Sequence, residues 1–288
     1  MCMLLPAKSI PQEQMQVRTG YEDSAIVKKR IIHANNLMHD NGLLPDSLAD
    51  IFYSALEYSR QHHYRYGLVH AAMGLAYYYR LKGEHDMAID LLKGAYQHTN
   101  SKEKVQIENN LATIYTSRGA YSQAMFHYLN ALKVYYYYRP PLSAGMIYHN
   151  IAEIMVKLNR QKEALPYLNL AEKEAMRNKD PLSLGIIAIT KGNIYYTLNK
   201  IDSSDQSLEQ AIEIARNARL ATIEARAKIG LAQNRIRTGN YTAALNYLAE
   251  AEPVESLSRQ GSVLLKSGRG RAMQGIGAYR EAEQWLLK

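Results

Sequence analysis

Cysteine is almost missing from this sequence: Cys2 stands alone. That excludes an internal disulfide framework and a thiolate metal site, and it leaves the redox compartment open. Phenylalanine and tryptophan are scarce as well, at 2 and 1 residues, and only 8 prolines occur, away from the long apolar-periodic stretches. No stretch approaches the roughly 20 consecutive apolar residues that cross a bilayer, so a membrane span within the chain is not expected. What fills the aromatic deficit is tyrosine, 23 residues, whose apolar ring and polar tip suit helices that are half buried. With 47% hydrophobic and 22% charged residues, the composition is that of a globular protein and excludes disorder and collagen.

The net charge of +8 is uneven. Residues 216–288 hold 12 Lys or Arg against 6 Asp or Glu, an excess that could attract an anionic partner. No aromatic-basic motif of a nucleic-acid module accompanies it, so solvated helix faces are the expected reading, and nucleic acid is not an expected partner of this region. Residues Met1 to Ser9 are apolar and reach a small-x-small triplet, Ala7-Lys8-Ser9, before a polar stretch. That is the pattern of a signal peptide whose start is missing. The alternatives remain open: an exported or periplasmic protein if this is a truncated leader, a cytoplasmic one if residues 1–22 are a disordered tail.

The dominant feature is a repeat, the first thing to seek in a chain of this length. Leu75-Ala76, Tyr79, Gly83, His85, Ala88, Leu92 and Ala95 return as Leu111-Ala112, Tyr115, Gly119, Tyr121, Ala124, Tyr128 and Ala131 at identical spacing. Further copies align on Ala152 and Asn159, Gly192 and Asn199, Ala232 and Gly239, and Gly270 and Gly277. Each position has a physical task. The small residue lets two helices cross closely, Gly or Asn ends the first helix in a left-handed conformation, and the recurring Ala brings the second helix against the first.

These positions resemble the tetratricopeptide repeat family over most of the chain. The resemblance implies an all-α fold, a right-handed α-α superhelix (TPR solenoid) of about six to seven helix pairs. The expected organisation is a leader remnant or tail at 1–22, a degenerate helix pair at 23–66, and repeats at 67–100, 101–139, 140–179, 180–219, 220–254 and 255–288. Two departures from the family are evident: the first-helix tryptophan is absent, and the intervals are 36, 40, 40, 40 and 38 residues where the family commonly has about 34. Longer intervals point to longer helices, hence a deeper groove, or to longer turns, for which Arg139-Pro140-Pro141, Asp180-Pro181 and Glu252-Pro253 are the candidates. The sixth copy breaks off at Lys288 without a polar capping helix, which suggests a fragment with a possible output domain beyond it.

The family binds peptides or proteins on its first-helix face. Carried over copy by copy, the residue after the small position gives Tyr77, Thr113, Glu153, Asn193, Gln233 and Arg271 as groove candidates. One turn earlier lie Asn109, Asn110, His149 and Asn150, and one turn later Arg80, Thr116, Lys157, Tyr196 and Arg237. Asn can hold a peptide backbone through paired donor and acceptor, and Arg or Lys can hold carboxylates. A complete two-carboxylate clamp is not expected, because basic residues are not grouped around Asn110 and Asn150.

Other motifs carry less. Tyr135 to Tyr138 could suggest a stacking platform, but successive rings on a helix point in different directions, and packing against the next repeat is expected. His62, His63 and His70 lack metalloenzyme spacing, so no metal and no cofactor are expected. Gly268-Arg269-Gly270 and Gly275-Ile276-Gly277 look like phosphate loops but fall inside the repeat register with no strand before them. The expected function is non-catalytic binding of a protein or peptide, as the sensing or docking region of a bacterial signalling protein; alternatively, the chain is a free-standing scaffold. Pro45-Asp46-Ser47 resembles helix starts in repeat regions of sensor kinases and transcription regulators.

Overall fold

A computed structural model of the chain describes residues 24–41, 45–140, 142–255 and 259–286. The leader reading of Met1 to Ser9 lies outside these residues. Every element described is an α-helix, and the fourteen form seven successive pairs. The chain divides after Leu142 into two compact units. The first holds α1 (Ser24–Asn41), α2 (Asp46–Gln61), α3 (Arg65–Lys82), α4 (His85–Tyr96), α5 (Ser101–Ser117) and α6 (Tyr121–Tyr138). The second holds α7 (Gly145–Lys157), α8 (Gln161–Arg177), α9 (Pro181–Thr197), α10 (Ile201–Ala218), α11 (Ala221–Arg237), α12 (Tyr241–Glu255), α13 (Arg259–Gly275) and α14 (Tyr279–Leu286). Arg139-Pro140-Pro141, read from sequence as one inter-repeat turn among several, thus stands just before the division.

Backbone hydrogen bonds show why each first helix stops where it does. Gly83, Gly119, Asn159, Asn199, Gly239 and Gly277 all have positive φ, between 59° and 81°. The next N–H then reaches back five residues: Glu84 to the Tyr79 carbonyl, Ala120 to Tyr115, Arg160 to Met155, Lys200 to Tyr195, Asn240 to Arg235 and Ala278 to Met273, all at 2.8–2.9 Å. One Schellman closure, satisfying carbonyls the helix would otherwise leave open, is repeated six times. The second helices of several pairs use it too, without glycine. His63, Arg139, Lys179 and Arg219 adopt φ of 47–57°, and Asp180 and Leu220 bond back to Ala175 and Ala215.

Starts are specified more variably. Asn100 caps α5 in a reciprocal box, its side chain accepting from the Glu103 N–H while Glu103 accepts from the Asn100 N–H. Asp180 caps α9 ahead of Pro181 at the first helical position, where the missing proline N–H is no loss. The Glu252-Pro253 turn expected from sequence is not there: Pro253 lies inside α12. A proline forfeits its own bond to the carbonyl four residues back, and so close to a helix end few such bonds remain to be lost.

The longer repeat interval lengthens the second helices. First helix α3 already has 18 residues and α5, α9 and α11 have 17 each, whereas the second helices grow from 12 residues in α4 to 18, 17 and 18 in α6, α8 and α10. The first-helix wall therefore gains no depth from the longer period, contrary to the expectation of a deeper groove.

Each pair closes on its small residues. Ala76, Ala112, Ala152 and Ala232 are at most 2% exposed, as are Ala88, Ala124, Ala164, Ala211 and Ala244 of the second helices. Ala124→Leu is expected to overpack the α5–α6 crossing and cost about 1–3 kcal/mol, read as a shift of the urea midpoint. An unchanged midpoint would mean that the crossing has room the close contact denies. Between pairs, ion pairs join a first helix to the second helix before it: Lys191 to Glu172 at 2.8 Å, Arg235 to Asp205 at 2.8 Å and Arg269 to Glu252 at 2.7 Å. Two of the C-terminal cations behind the charge excess, Arg235 and Arg269, are engaged in this way.

Candidate functional site

The groove candidates fall into both units, and each set stands by itself. In the first unit, Tyr77 and Arg80 pair on α3, the guanidinium 4.9 Å above the ring. Asn109, Asn110, Thr113 and Thr116 are half buried on α5. Thr113 and Thr116 hydroxyls donate to the Asn109 and Ala112 carbonyls, both at 2.9 Å, and Thr113 also meets the Tyr128 hydroxyl at 3.3 Å. These threonines serve their own helix pair, which leaves them poorly placed to serve a ligand.

In the second unit the candidates form a more open row. First helices α7, α9, α11 and α13 pack side by side, and Glu153, Asn193, Gln233 and Arg271 occupy the same register on the four. Glu153, Asn193 and Arg271 are exposed, and Gln233 is half buried. Tyr196 and Arg237 are brought together, but by each other: Arg237 Nη1 donates to the Tyr196 carbonyl at 2.8 Å, and its guanidinium lies 4.7 Å from the ring centre. This contact ties α9 to α11.

His149 and Asn150 sit one turn before Glu153. His149 Nε2 lies 3.2 Å from Thr190 Oγ1, whose own hydroxyl donates to the Ile186 carbonyl at 3.0 Å. The Thr190 hydroxyl can accept from the imidazole while it donates to that carbonyl. Burial holds His149 below the ordinary histidine range, opposed by the Glu153 charge and a hydrogen bond with Asn150. In the other unit burial does the same to His70, opposed by Glu103.

A histidine whose folded value is lowered binds fewer protons in the folded chain than in the unfolded one just below the usual value of about 6.5. Its stabilising preference is complete above that value and is lost as pH falls through it toward the lowered folded values. The melting temperature is expected to be level above about pH 7 and to decline below about pH 6.5. His149→Gln and His70→Gln should each flatten the decline; a melting curve unchanged by both substitutions would contradict the assignment.

Three apolar residues of this face were not read from the sequence. Met146 and Ile186 lie seven residues, two helical turns, before Glu153 and Asn193 and therefore share their face. They are 67% and 36% exposed, and Leu182, another turn before Ile186, is 48% exposed. The signal was available as apolar residues at helical spacing outside the buried stripe. The polar row thus has an apolar edge toward the starts of α7 and α9, so the wall can take side chains as well as a peptide backbone.

The remaining motifs resolve simply. Of Tyr135 to Tyr138, only Tyr135 is buried; the other three are at least 50% exposed. Tyr136 and Tyr137 turn away from α5, the helix α6 packs on, and Tyr138 is the last residue of α6. His62 stacks on Tyr58 and His70 on Tyr66, each with ring centres about 4 Å apart. Among the described residues, no three His, Cys, Asp or Glu groups come together as a metal site, and no helix is long and apolar enough to cross a membrane. Gly268, Gly270 and Gly275 are part of α13, and Arg269 is committed to Glu252.

Comparison with known proteins bears on the fold. The tetratricopeptide repeat family model matches residues 187–217, which fall within the α9–α10 pair. Among curated proteins the sequence has no match. Among solved structures it is similar to aspartyl phosphate phosphatase F from Bacillus subtilis, with 13% identity, 92% of this chain and 69% of that one covered, and a TM-score of 0.71. It is also similar to a Rap protein complexed with competence and sporulation factor (15% identity, 96% and 88% covered, TM-score 0.64) and to the quorum sensor NprR of B. thuringiensis in its apo form (11%, 96% and 89%, 0.62). At such identities the likeness is one of fold. Six copies of one helix-pair register, each closed by the same backbone bonds, and a direct family match in the fourth identify the chain as one built from tetratricopeptide repeats.

Proposed function

We propose that the chain is a non-catalytic protein- or peptide-binding solenoid whose ligand lies along the first-helix face of the second unit, and that it is the sensing or docking region of a bacterial signal-transduction protein. The observation that carries the reading is the row Glu153, Asn193, Gln233 and Arg271, side by side on four packed helices, with exposed Met146 and Ile186 along its edge. Structural neighbours support it by analogy: one is named as a complex with competence and sporulation factor, another as a quorum sensor.

Panning a random-sequence peptide display library on the purified chain tests the proposal. Asn150→Ala and Asn193→Ala are each expected to weaken a selected peptide by about 0.5–1.5 kcal/mol, up to roughly tenfold, measured by isothermal titration. Helical circular dichroism should stay as it is, since neither residue is part of the packed core. Selected peptides whose affinity neither substitution changes would place the site elsewhere. One neighbour is named a phosphatase; release of phosphate from an acyl-phosphate substrate by this chain would overturn the non-catalytic part.

A further inference from the structure

Helix α6 exposes more apolar and aromatic surface than the second helices α4, α8 and α10, of which α8 exposes Leu170 and Met176. The buried stripe of α6 is Ala124, Tyr128, Ala131, Leu132 and Tyr135. At 100° per residue, the opposite side holds Phe126, Leu129, Lys133 and Tyr137, with Tyr136 on its flank, and the four apolar or aromatic members of this set are 49–78% exposed. At the positions of Phe126 and Leu129 the other pairs carry no large apolar or aromatic side chain, although Tyr136 has an apolar counterpart in Met176 of α8, 56% exposed. Where α6 has Phe126, the others have Asp90, Pro166, Gln206 and Asn246; where it has Leu129, they have Lys93, Asn169, Glu209 and Ala249. All eight are exposed. The repeat architecture therefore does not require large apolar groups there, and burying them within the pair is not their task. A surface stripe of this kind marks an interaction site.

Charge identifies the partner's chemistry. Helix α6 contains no aspartate or glutamate in its 18 residues, while Lys133 lies within the stripe and Arg139 at its end, its guanidinium 5.9 Å from the Tyr136 ring centre. Both cations are exposed. A second copy of the same face would bring like charges together, which disfavours self-association. From Phe126 to Tyr137 the stripe runs eleven residues, about 16 Å, or three helical turns.

We propose that the outer face of α6 is a docking surface for an apolar, carboxylate-bearing segment of a partner protein, separate from the first-helix face of the second unit. Phe126, Leu129 and Tyr137 take up the partner's apolar side chains, and Lys133 and Arg139 hold its carboxylates.

The test uses synthetic 16-residue amphipathic peptides with identical apolar residues and either Glu or Lys at the polar positions, titrated onto the full chain by fluorescence anisotropy. The Glu series is expected to bind and the Lys series not. Phe126→Ser with Tyr137→Ser should lower affinity at least tenfold with circular dichroism unchanged; should that pair disturb folding, Tyr137→Gln alone gives the same reading. Lys133→Glu should weaken the Glu series and admit the Lys series, a swap that loss of structure could not produce. Asn193→Ala should leave this binding alone. The proposal is overturned if the two series bind alike, if neither binds, or if the substitutions leave affinity unchanged. It is equally overturned if the same residues mediate a dimer in sedimentation, or capture phosphatidylglycerol vesicles or single-stranded DNA in preference to the Glu peptides.

Discussion

Replacing Phe52 with alanine is expected to lower the unfolding free energy by about 3–5 kcal/mol. Phe52 is fully buried on α2, and its ring fills a slot that exists because α3 has glycine at position 74. A Cβ on Gly74 would lie 2.3 Å from Phe52 Cε1, so ring and backbone are already in contact. Removing the ring leaves a cavity between two helices that cannot close without moving α2 along α3. Urea denaturation followed by circular dichroism measures the loss. A cost below about 1 kcal/mol would mean that α1 and α2 are peripheral to the first unit, although Val27, Ile31 and Leu48 belong to the same core as Leu75 and Leu92.

Leu208→Ala is expected to cost about 2–5 kcal/mol by the same route. Leu208, on α10, is 1% exposed and stands between two glycines of neighbouring first helices. A Cβ on Gly192 would lie 2.7 Å from its Cγ, and one on Gly230 would lie 2.8 Å from its Cδ2. One side chain thus fills the space that both glycines vacate, and it locks α9, α10 and α11 together. A double-mutant cycle sharpens the test. Gly192→Ala should destabilise the wild-type chain by overpacking, about 1–3 kcal/mol, yet recover part of the loss in the Leu208→Ala background. Additive effects would show that the two residues do not share the space.

The parts of this fold that were legible in the sequence are those that depend on residue identity. Gly or Asn at 83, 119, 159, 199, 239 and 277 announces a positive φ, and all six positions have one. The alanines at helix crossings announce close approach, and they are buried. The ends of the second helices were less legible because Arg139, Lys179 and Arg219 adopt the left-handed conformation without being residues that favour it. Pro253 was misread because a proline signals a break more often than it signals a last helical turn. The division after Leu142 has no compositional mark beyond prolines that also fit an ordinary turn. For the candidate site, the register of Glu153, Asn193, Gln233 and Arg271 followed from the repeat. That Thr113 serves its own helix pair and that Arg237 is drawn onto Tyr196 depend on neighbours that spacing alone does not supply.

The repeated closure of the helices also bears on how such a chain diverges. Its bonds run from backbone N–H to backbone carbonyl, so a duplicated pair keeps its boundary through almost any change of side chain, provided one residue tolerates positive φ. Neighbouring copies can then drift until one of six still matches the family's profile, with the joints intact. Freed from holding the joint, the outward positions of any one pair are available to selection separately from the rest. Helix α6 carries the ring of Phe126 where three of its counterparts carry Asp90, Gln206 and Asn246, which is how a new surface would arise in one copy of an old repeat.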